Sequence, residues 1–347
     1  MLKIAILGCA HGHANEYCRR WLESDFGVRA ACVWDHDAAR ARKAAEQFKL
    51  EVAETPEAAL LHADAALIAA ETNRHAELVE IAAAAGKPII LQKPIATTLA
   101  DAERIVAAVK RHGVPFTMAW QMRTEPQNMK AREMLAAGTL GKILMVRRRH
   151  GLSTHVWSGF ENTWHVDPTA NRDIWADDVS HAVDFILWLL GKPQSLMAEI
   201  SSLVNPKVPN DNGMILFRYA SGMLAEVCSS FTCVAGENTL EIVGEKGVII
   251  QNFGDAPSAN ARDYEHTPLS GLRWYLQADK HWTYSDIPTP KTHGERIAGL
   301  AGPLADFLLG KREPVATALE GLHCLQVVMA SYESNTTGKR VPLHFAE

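Results

Sequence analysis

No run of apolar residues approaches the ~20 that a membrane-spanning helix needs. The N-terminus enters an apolar strand at once, without the basic–apolar–small order of a secretion signal. Basic blocks are absent as well: 35 Lys+Arg against 40 Asp+Glu leave a net charge of −5, which offers nothing to nucleic acid. The six cysteines, at 9, 18, 32, 228, 233 and 324, show no Cys-x-x-Cys or other zinc-ligand spacing, and thiols so scattered point to a reducing cytoplasm. There is no Gly-x-Ser-x-Gly elbow and no Walker loop, so the matching nucleophilic and nucleotide-hydrolysing chemistries lack support. Repeats and low-complexity tracts are missing. Histidine and tryptophan are plentiful, 15 and nine of them, and several cluster between His150 and Trp188.

The N-terminus carries the most informative pattern. Residues 3–7 are a short apolar run, followed by Gly8-Cys9-Ala10-His11-Gly12-His13; a second apolar run, 28–34, ends on Asp35. Strand, tight turn, helix, strand and acidic residue is the layout of a dinucleotide-binding βαβ unit. Glycines let the backbone approach a pyrophosphate, and a helix N-terminus favours its negative charge. A carboxylate ending the second strand can bind a ribose diol and would repel a 2′-phosphate, so Asp35 predicts NAD over NADP. The glycine pattern is degraded: Ala10 stands at the second position, and the third glycine is displaced to Gly12 or replaced by His13. His11 and His13 mimic a His-x-His metal pair. In a phosphate-binding turn, His13 is expected instead to donate to a phosphate or cap the helix, and no metal is predicted.

Residues 1–121 alternate strand and helix, with strands expected at 3–7, 28–34, 65–70, 88–92 and 115–120 and helices at 38–48, 73–85 and 99–111. Thr98 with Asp101 reads as a capping box, and Gly86 and Gly113 sit where C-terminal caps belong. Apolar runs without alternation suit strands buried on both faces of a parallel sheet. This predicts a doubly wound Rossmann domain, with ligands beyond the carboxyl ends of its strands. Asp35, Glu71-Thr72-Asn73 and Gln92-Lys93-Pro94 all lie at such ends. Residues 122–347 read as an α+β domain. A helix near 128–137 precedes a strand at 143–149, and an apolar helix spans 180–190. Segments from 195 to 251, broken at Ser221-Gly222, Gly236 and Gly244–Gly247, predict an open, mainly antiparallel sheet. Residues 252–295 resist assignment. Helices near 296–310 and 316–336 close the chain, and the closing helix and last segment are able to pack back towards the first domain.

Three groups of residues could carry chemistry. Lys93 ends a core strand and is followed by Pro94, although position alone also suits a surface lysine. Asp177, His181 and Asp184 fall at i, i+4 and i+7, on one face of a helix that is otherwise apolar. A buried helix with acid, histidine and acid on one stripe is costly unless those groups are paired or used; an N-cap aspartate with a hydrogen-bonded core histidine is the plainer alternative. The third group is Trp164-His165-Val166-Asp167, with His155, Trp157, Arg172 and Asp173 nearby. Rings and charged groups interleaved on a loop suit a sugar-like ligand, and an ordinary loop would look the same.

In their order and spacing these landmarks resemble the glucose–fructose oxidoreductase / inositol dehydrogenase / rhizopine-catabolism (Gfo/Idh/MocA) family of NAD(P)-dependent oxidoreductases. Thr72-Asn73-Arg74-His75 is similar to the family's Thr-Pro-Asn-x-x-His segment without its proline, and Gln92-Lys93-Pro94 to its Glu-Lys-Pro motif with Gln for Glu. Asp177-x-x-x-His181-x-x-Asp184 resembles its Asp-x-x-x-His-x-x-Asp segment. Arg123 falls where the family often has an arginine after the sixth strand, and 315–321 and 332–341 resemble its closing helix and last strand. The family's usual Gly-Gly before the aspartate is Arg172-Asp173 here.

The resemblance implies that Lys93, Asp177 and His181 carry catalysis. It also implies that Gly8, Ala10, His11, Gly12, His13, Asp35, Thr72, Asn73, His75, Gln92 and Lys93 hold the dinucleotide. The expected activity is NAD-dependent dehydrogenation of a sugar, cyclitol or related polyol in the cytoplasm. In that scheme His181 takes the hydroxyl proton, Lys93 stabilises the developing alkoxide, and Asp177 orients the hydroxyl or His181. Arg123, Trp164, His165 and Arg172 are the expected substrate contacts, with Arg172-Asp173 making the pocket more charged. A homodimer or homotetramer is expected, because few helices are available to cover both faces of the second sheet. The rival readings are redox-neutral epimerase, lyase or glycosidase chemistry with tightly held NAD, a metal-dependent hydrolase or isomerase, and a sugar- or nucleotide-sensing protein without turnover.

Overall fold

A computed structural model describes residues 1–234, 238–252, 271–290 and 292–347. Gly236, read above as a break between strands, lies outside the described residues, as does 253–270. Six parallel strands form the first sheet: β1 (Leu2–Leu7), β2 (Val28–Trp34), β3 (Glu51–Val52), β4 (Ala65–Ile68), β5 (Ile89–Leu91) and β6 (Phe116–Met118), in the order β3-β2-β1-β4-β5-β6. Every residue of β4, β5 and β6 is buried, which is what apolar runs without alternation predict. Between the strands run α1 (His13–Glu23), α2 (Ala38–Phe48), α3 (Pro56–Leu61), α4 (His75–Ala84) and α5 (Leu99–His112).

Local chemistry sets the helix limits. Asp37 caps α2 by accepting from the Ala39 and Arg40 amides, Thr98 caps α5 through the Asp101 amide, and Gly113 ends α5 in the left-handed region at φ +61°. β3 and α3 are not legible in the sequence, for a physical reason. β3 is two exposed residues on the sheet edge, too short to show any period, and α3 is six residues started by Thr55 and Pro56.

After α6 (Pro126–Ala136) the second sheet is built from β7 (Ile143–Gly151), β8 (Ser195–Ser201), β9 (Asn212–Arg218), β10 (Leu224–Ser230), β11 (Thr239–Gly244), β12 (Gly247–Asn252), β13 (Gly271–Leu276), β14 (Trp282–Tyr284) and β15 (Val341–Pro342). Their order is β14-β13-β12-β11-β7-β10-β9-β8-β15, antiparallel throughout except for the β7–β10 pair. α7 (Ser180–Leu190) and α10 (Ala318–Thr337) cover one face. On the opposite face Met145 lies beside Leu224 and Met197 beside Leu216, and all four side chains are exposed.

The chain returns to the first sheet twice. α8 (His293–Ala298) and α9 (Ala301–Leu308) pack on α1, where the Trp21 indole donates to the Ala301 carbonyl at 2.9 Å. The segment before α10 bonds the end of β6, Met118 N to Ala316 O at 2.8 Å, and α10 itself packs on both α5 and α7. The two sheets are thus joined by the closing helices as well as by the chain after β6. No helix among the described residues is long and apolar enough to cross a membrane.

Candidate active site

β1 ends in Gly8 at φ +83°, and a Cβ there would lie 2.4 Å from the Ala70 Cα. Only glycine therefore lets the first turn close against the exit of β4. The turn runs through Ala10 to Gly12, the N-cap of α1, which has no side-chain cap and is exposed, with open space where a Cβ would be. An uncapped helix start behind a tight glycine turn is a fit for a pyrophosphate.

His13 is the first residue of α1 and does not cap it. Its ring meets His11 edge-on at 4.4 Å and lies 6.4 Å from His181 and 5.9 Å from His293. His11 is buried beneath Trp164 and His165. Burial drives both His11 and His13 well below the usual histidine range, and neighbouring histidines and Lys93 add to it.

Asp35 does end β2, but its carboxylate is already engaged. It accepts from the Cys9 amide at 2.7 Å, the Asp37 amide at 2.8 Å, and Arg40 Nε and Nη2 at 2.7 and 2.8 Å. Burial raises its pKa, and the Arg40, Asp37 and Cys9 bonds more than offset this, leaving it lowered. Arg40 also bonds Glu71 at 2.8 Å. Two carboxylates thus share one guanidinium, and His36 Nδ1 lies 3.3 Å from Asp35 and 3.6 Å from Glu71. The sequence shows Arg40 only as a residue inside α2; one turn of helix past Asp37 brings it back over the strand end.

The other expected dinucleotide residues divide. Thr72 donates to Asn171 at 2.5 Å and the Asn73 amide donates to Ala170, so this turn ties the first sheet to the 153–173 segment, with the Asn73 side chain exposed. His75 is fully buried: its Nδ1 lies 2.9 Å from the Pro94 carbonyl and its Nε2 3.2 Å from the Ala70 carbonyl. The neutral ring has one N–H, so it donates to one of these carbonyls and packs against the other, bracing the strand ends from within. Gln92 is buried against Tyr17, to whose hydroxyl it donates.

Lys93 is no surface lysine. It is 3% exposed, and its Nζ lies 2.9 Å from Asp177 Oδ1 and 3.7 Å from Asp178 Oδ1. The acids come from a π-helical turn, Trp175–Val179, directly before α7. The spacing alone makes 177, 181 and 184 one α-helical stripe. A π turn is wider than an α turn, so Asp177 and Asp178 both reach Lys93. His181 Nε2 lies 3.7 Å from Asp178 Oδ1, while Asp184 turns away to another partner. Asp177 therefore contacts Lys93 and His165 Nδ1, the latter at 2.6 Å, and not His181. Burial works against the Asp177 charge, and Lys93 and His165 overcome it, holding the carboxyl well below its usual range. Asp178 is bound by His150 Nε2 at 3.0 Å and is also lowered. Asp178 and His150 do not stand out in the sequence, because their significance depends on the π turn and on β7. His181 is buried edge-on to Trp120, its Nδ1 is 3.3 Å from Gln121 Nε2, and burial lowers its pKa well below the usual value.

These groups line one cavity of about 180 Å³: His11, His13, Lys93, His150, His165, Asp177, Asp178, His181, His293 and Arg296, with Trp157 and Phe160 at the apolar side. Among the described residues no three His, Cys, Asp or Glu side chains are placed to hold a metal ion.

Of the expected substrate contacts, only His165 is on the wall. Trp164 stands behind it, stacked at 4.0 Å, with its indole donating to the Ala10 carbonyl. Arg172 is exposed and lies over the Tyr332 ring at 4.5 Å, while Asp173 is buried against the Tyr332 hydroxyl, the Asn210 amide and the Ala176 backbone. The pair organises the π turn from outside and adds no charge to the cavity.

Arg123 is likewise structural. It binds Asp184 through Nε and Nη2 at 2.9 and 2.6 Å, and Glu320 and the Val315 carbonyl through Nη1. It joins the segment after β6 to α7 and α10. Arg123→Met should cost about 3–5 kcal/mol, the usual loss when one partner of a buried ion pair is removed, with substrate KM little changed. Urea unfolding alongside steady-state kinetics checks this; unchanged stability with a raised KM would return Arg123 to the substrate.

Known proteins share this architecture. Residues 2–120 match the profile of an oxidoreductase family with an NAD-binding Rossmann fold, and residues 128–250 match the GFO/IDH/MocA C-terminal domain. The chain belongs to the Gfo/Idh/MocA oxidoreductase family. Among its relatives is a D-apiose dehydrogenase of Paraburkholderia graminis, 27% identical over 99% of this chain and 90% of the relative. An inositol 2-dehydrogenase of Acidothermus cellulolyticus is 27% identical over 72% of each. In fold, the chain is similar to a levoglucosan dehydrogenase solved with NADH and levoglucosan, with a TM-score of 0.82 and 20% identity over 99% of this chain and 100% of that one. In this family member the glycine turn, the Lys93 strand end and the π turn converge on one cavity.

Proposed function

We propose that this family member is a dehydrogenase of a sugar, cyclitol or related polyol, using NAD and working in the cytoplasm as a homo-oligomer. The observation that supports it best is Lys93, a buried cation at the cavity wall held by two carboxylates beside the open start of α1. Bound NAD supplies the hydride acceptor. Gly8, Ala10 and Gly12 with the start of α1 would hold its pyrophosphate, and the Asp35–Arg40–Glu71 corner its adenosine ribose. Lys93 stabilises negative charge growing on the substrate oxygen. Asp177 keeps Lys93 in place, and neutral His181 offers a hydrogen bond. The named relatives act on apiose and inositol, which supports a polyhydroxylated substrate. A screen of sugars and polyols for NADH formation tests this; no NADH from any of them, with NAD binding intact, would refute it.

The Asp35–Arg40–Glu71 corner supports NAD over NADP. Its two carboxylates, Asp35 and Glu71, would repel a 2′-phosphate at a cost of roughly 1–4 kcal/mol at close range. NADP should bind about tenfold or more weakly, and Asp35→Asn should narrow the gap; titration of both dinucleotides decides it, and tighter NADP binding sinks it. The six free cysteines support a reducing compartment. The exposed methionines and leucines on the open sheet face support an oligomer. A monomeric mass by light scattering would overturn that part.

A further inference from the structure

We infer that His165, oriented by Asp177, is the acid–base residue of this cavity, so that the proton acceptor comes from the 153–173 segment and not from α7. The inference rests on the dehydrogenase reading above.

Three observations carry it. The first is the tautomer. Asp177 is a carboxylate bound to Lys93, so it only accepts hydrogen bonds. The 2.6 Å contact to His165 Nδ1 therefore places a hydrogen on Nδ1, and in the neutral ring the lone pair is then on Nε2. A proton taken at Nε2 makes an imidazolium directly paired with a carboxylate.

The second is access. Six histidines among the described residues line the cavity. The His13 ring packs against those of His11, His181 and His293, and His293 Nδ1 lies 3.1 Å from Arg296 Nη2. His150 has both nitrogens engaged, with Asn238 at 2.8 Å and Asp178 at 3.0 Å. His181 has 4% of its side chain exposed and lies between Gln121 and Asp178. His11 is buried at 3%. His165 is on the wall with 24% of its side chain exposed.

The third is preorganisation. The His165 ring stacks on Trp164 at 4.0 Å and on Phe160 at 5.9 Å, and the Trp164 indole is anchored to Ala10 in the glycine turn. The ring is therefore held at the junction of dinucleotide turn and substrate cavity, as a catalytic base needs to be.

The proton balance is simple. The hydroxyl proton passes to Nε2, the O–H electron pair stays on the substrate to form the carbonyl, and the hydride leaves with the C–H pair to the oxidised dinucleotide. Lys93 shares Asp177 with His165, so the cation at the oxygen and the base at the proton are aligned by one carboxylate. Asp177 is bonded to His165, and the charged and titratable groups that share its cavity are Asp178 from the π turn, Lys93 from the end of β5, His11 and His13 from the first turn, His150 from β7, His181 from α7, and His293 and Arg296 from α8.

The test compares His165→Asn, His165→Gly and His181→Asn in the full chain. His165→Asn should lose about two to four orders of magnitude in kcat, together with the acidic limb of the kcat/KM pH profile, while NAD affinity holds. Added imidazole should partly rescue His165→Gly. His181→Asn should keep the acidic limb. Nitrogen-15 NMR of the ligand-free protein gives a readout independent of turnover: His165 should appear as the Nδ1–H tautomer, and Asp177→Asn should abolish that preference. Retention of the limb in His165→Asn, failure of imidazole to rescue a His165→Gly protein that still binds NAD, or an Nε2–H tautomer would each overturn the assignment. If no polyol yields NADH, the dehydrogenase reading fails, and His165 as its base fails with it; the NMR result then reports only whether the Asp177–His165 pair exists.

Discussion

Lys93→Met is expected to stop turnover and weaken the fold at once. Methionine keeps nearly the length of the lysine stem and removes the charge. Asp177 and Asp178 then face each other in the interior without the cation that lies 2.9 and 3.7 Å from them. Removing one partner from a buried ion pair costs about 3–5 kcal/mol, more than the small gain from burying a thioether. The chemistry suffers separately, because a preorganised positive charge at a developing oxyanion is worth about two to three orders of magnitude. On that ground kcat should fall by about a hundredfold to a thousandfold. The two effects can be separated. Adding Asp178→Asn to Lys93→Met removes one buried charge and should recover part of the stability but none of the turnover. Urea unfolding and NADH formation on the single and double variants measure this, and single-variant turnover within tenfold of wild type would discard Lys93 as the oxyanion cation.

Mild acid is expected to destabilise the protein steeply, before its carboxylates titrate. His11, His75 and His181 are buried at 3%, 0% and 4% exposure, and burial is the main cause lowering each of them. For His75 the folded value is about 4, against an ordinary histidine value of 6.5. The sign follows from proton counts. Below about pH 6.5 the unfolded chain binds protons that the folded chain refuses, so stability is full above that pH and falls as pH drops towards the folded values. Each such histidine contributes a slope of up to about 1.4 kcal/mol per pH unit, so three give about 4 kcal/mol per unit where all respond together. His75 alone accounts for roughly 3 kcal/mol across its window. Urea midpoints measured between about pH 7.5 and pH 5 should fall sharply, and His75→Gln should reduce the slope by about one proton. A flat midpoint over that range would mean these rings accept protons in the folded state.

Much of the first domain was legible because its signals are local. Residues 28–34 and 38–48 formed the expected strand and helix, since apolar runs and caps act over a few residues. Gly8 and Lys93 were identifiable from position: one at a turn that tolerates no Cβ, the other at a strand end. Their partners were harder to see. Asp178 looked redundant beside Asp177 until a π turn brought both to Lys93. Arg123 and Arg172 were candidate ligand contacts because an arginine in a sequence shows its charge and not its partner. Those partners, Asp184 and Glu320 for Arg123 and the Tyr332 ring for Arg172, lie 61, 197 and 160 positions away in number.

By itself, then, the sequence determined which stretches become strands and helices, the doubly wound order and the dinucleotide turn, because periodicity, capping and glycine sterics are decided by near neighbours. The tertiary structure alone decided how charges pair. Burial makes an unpaired charge costly, and the partner is chosen by what the fold brings within about 3 Å. That is why Asp35 is shared with Arg40, His75 is a brace, and Asp177 points His165 into the cavity.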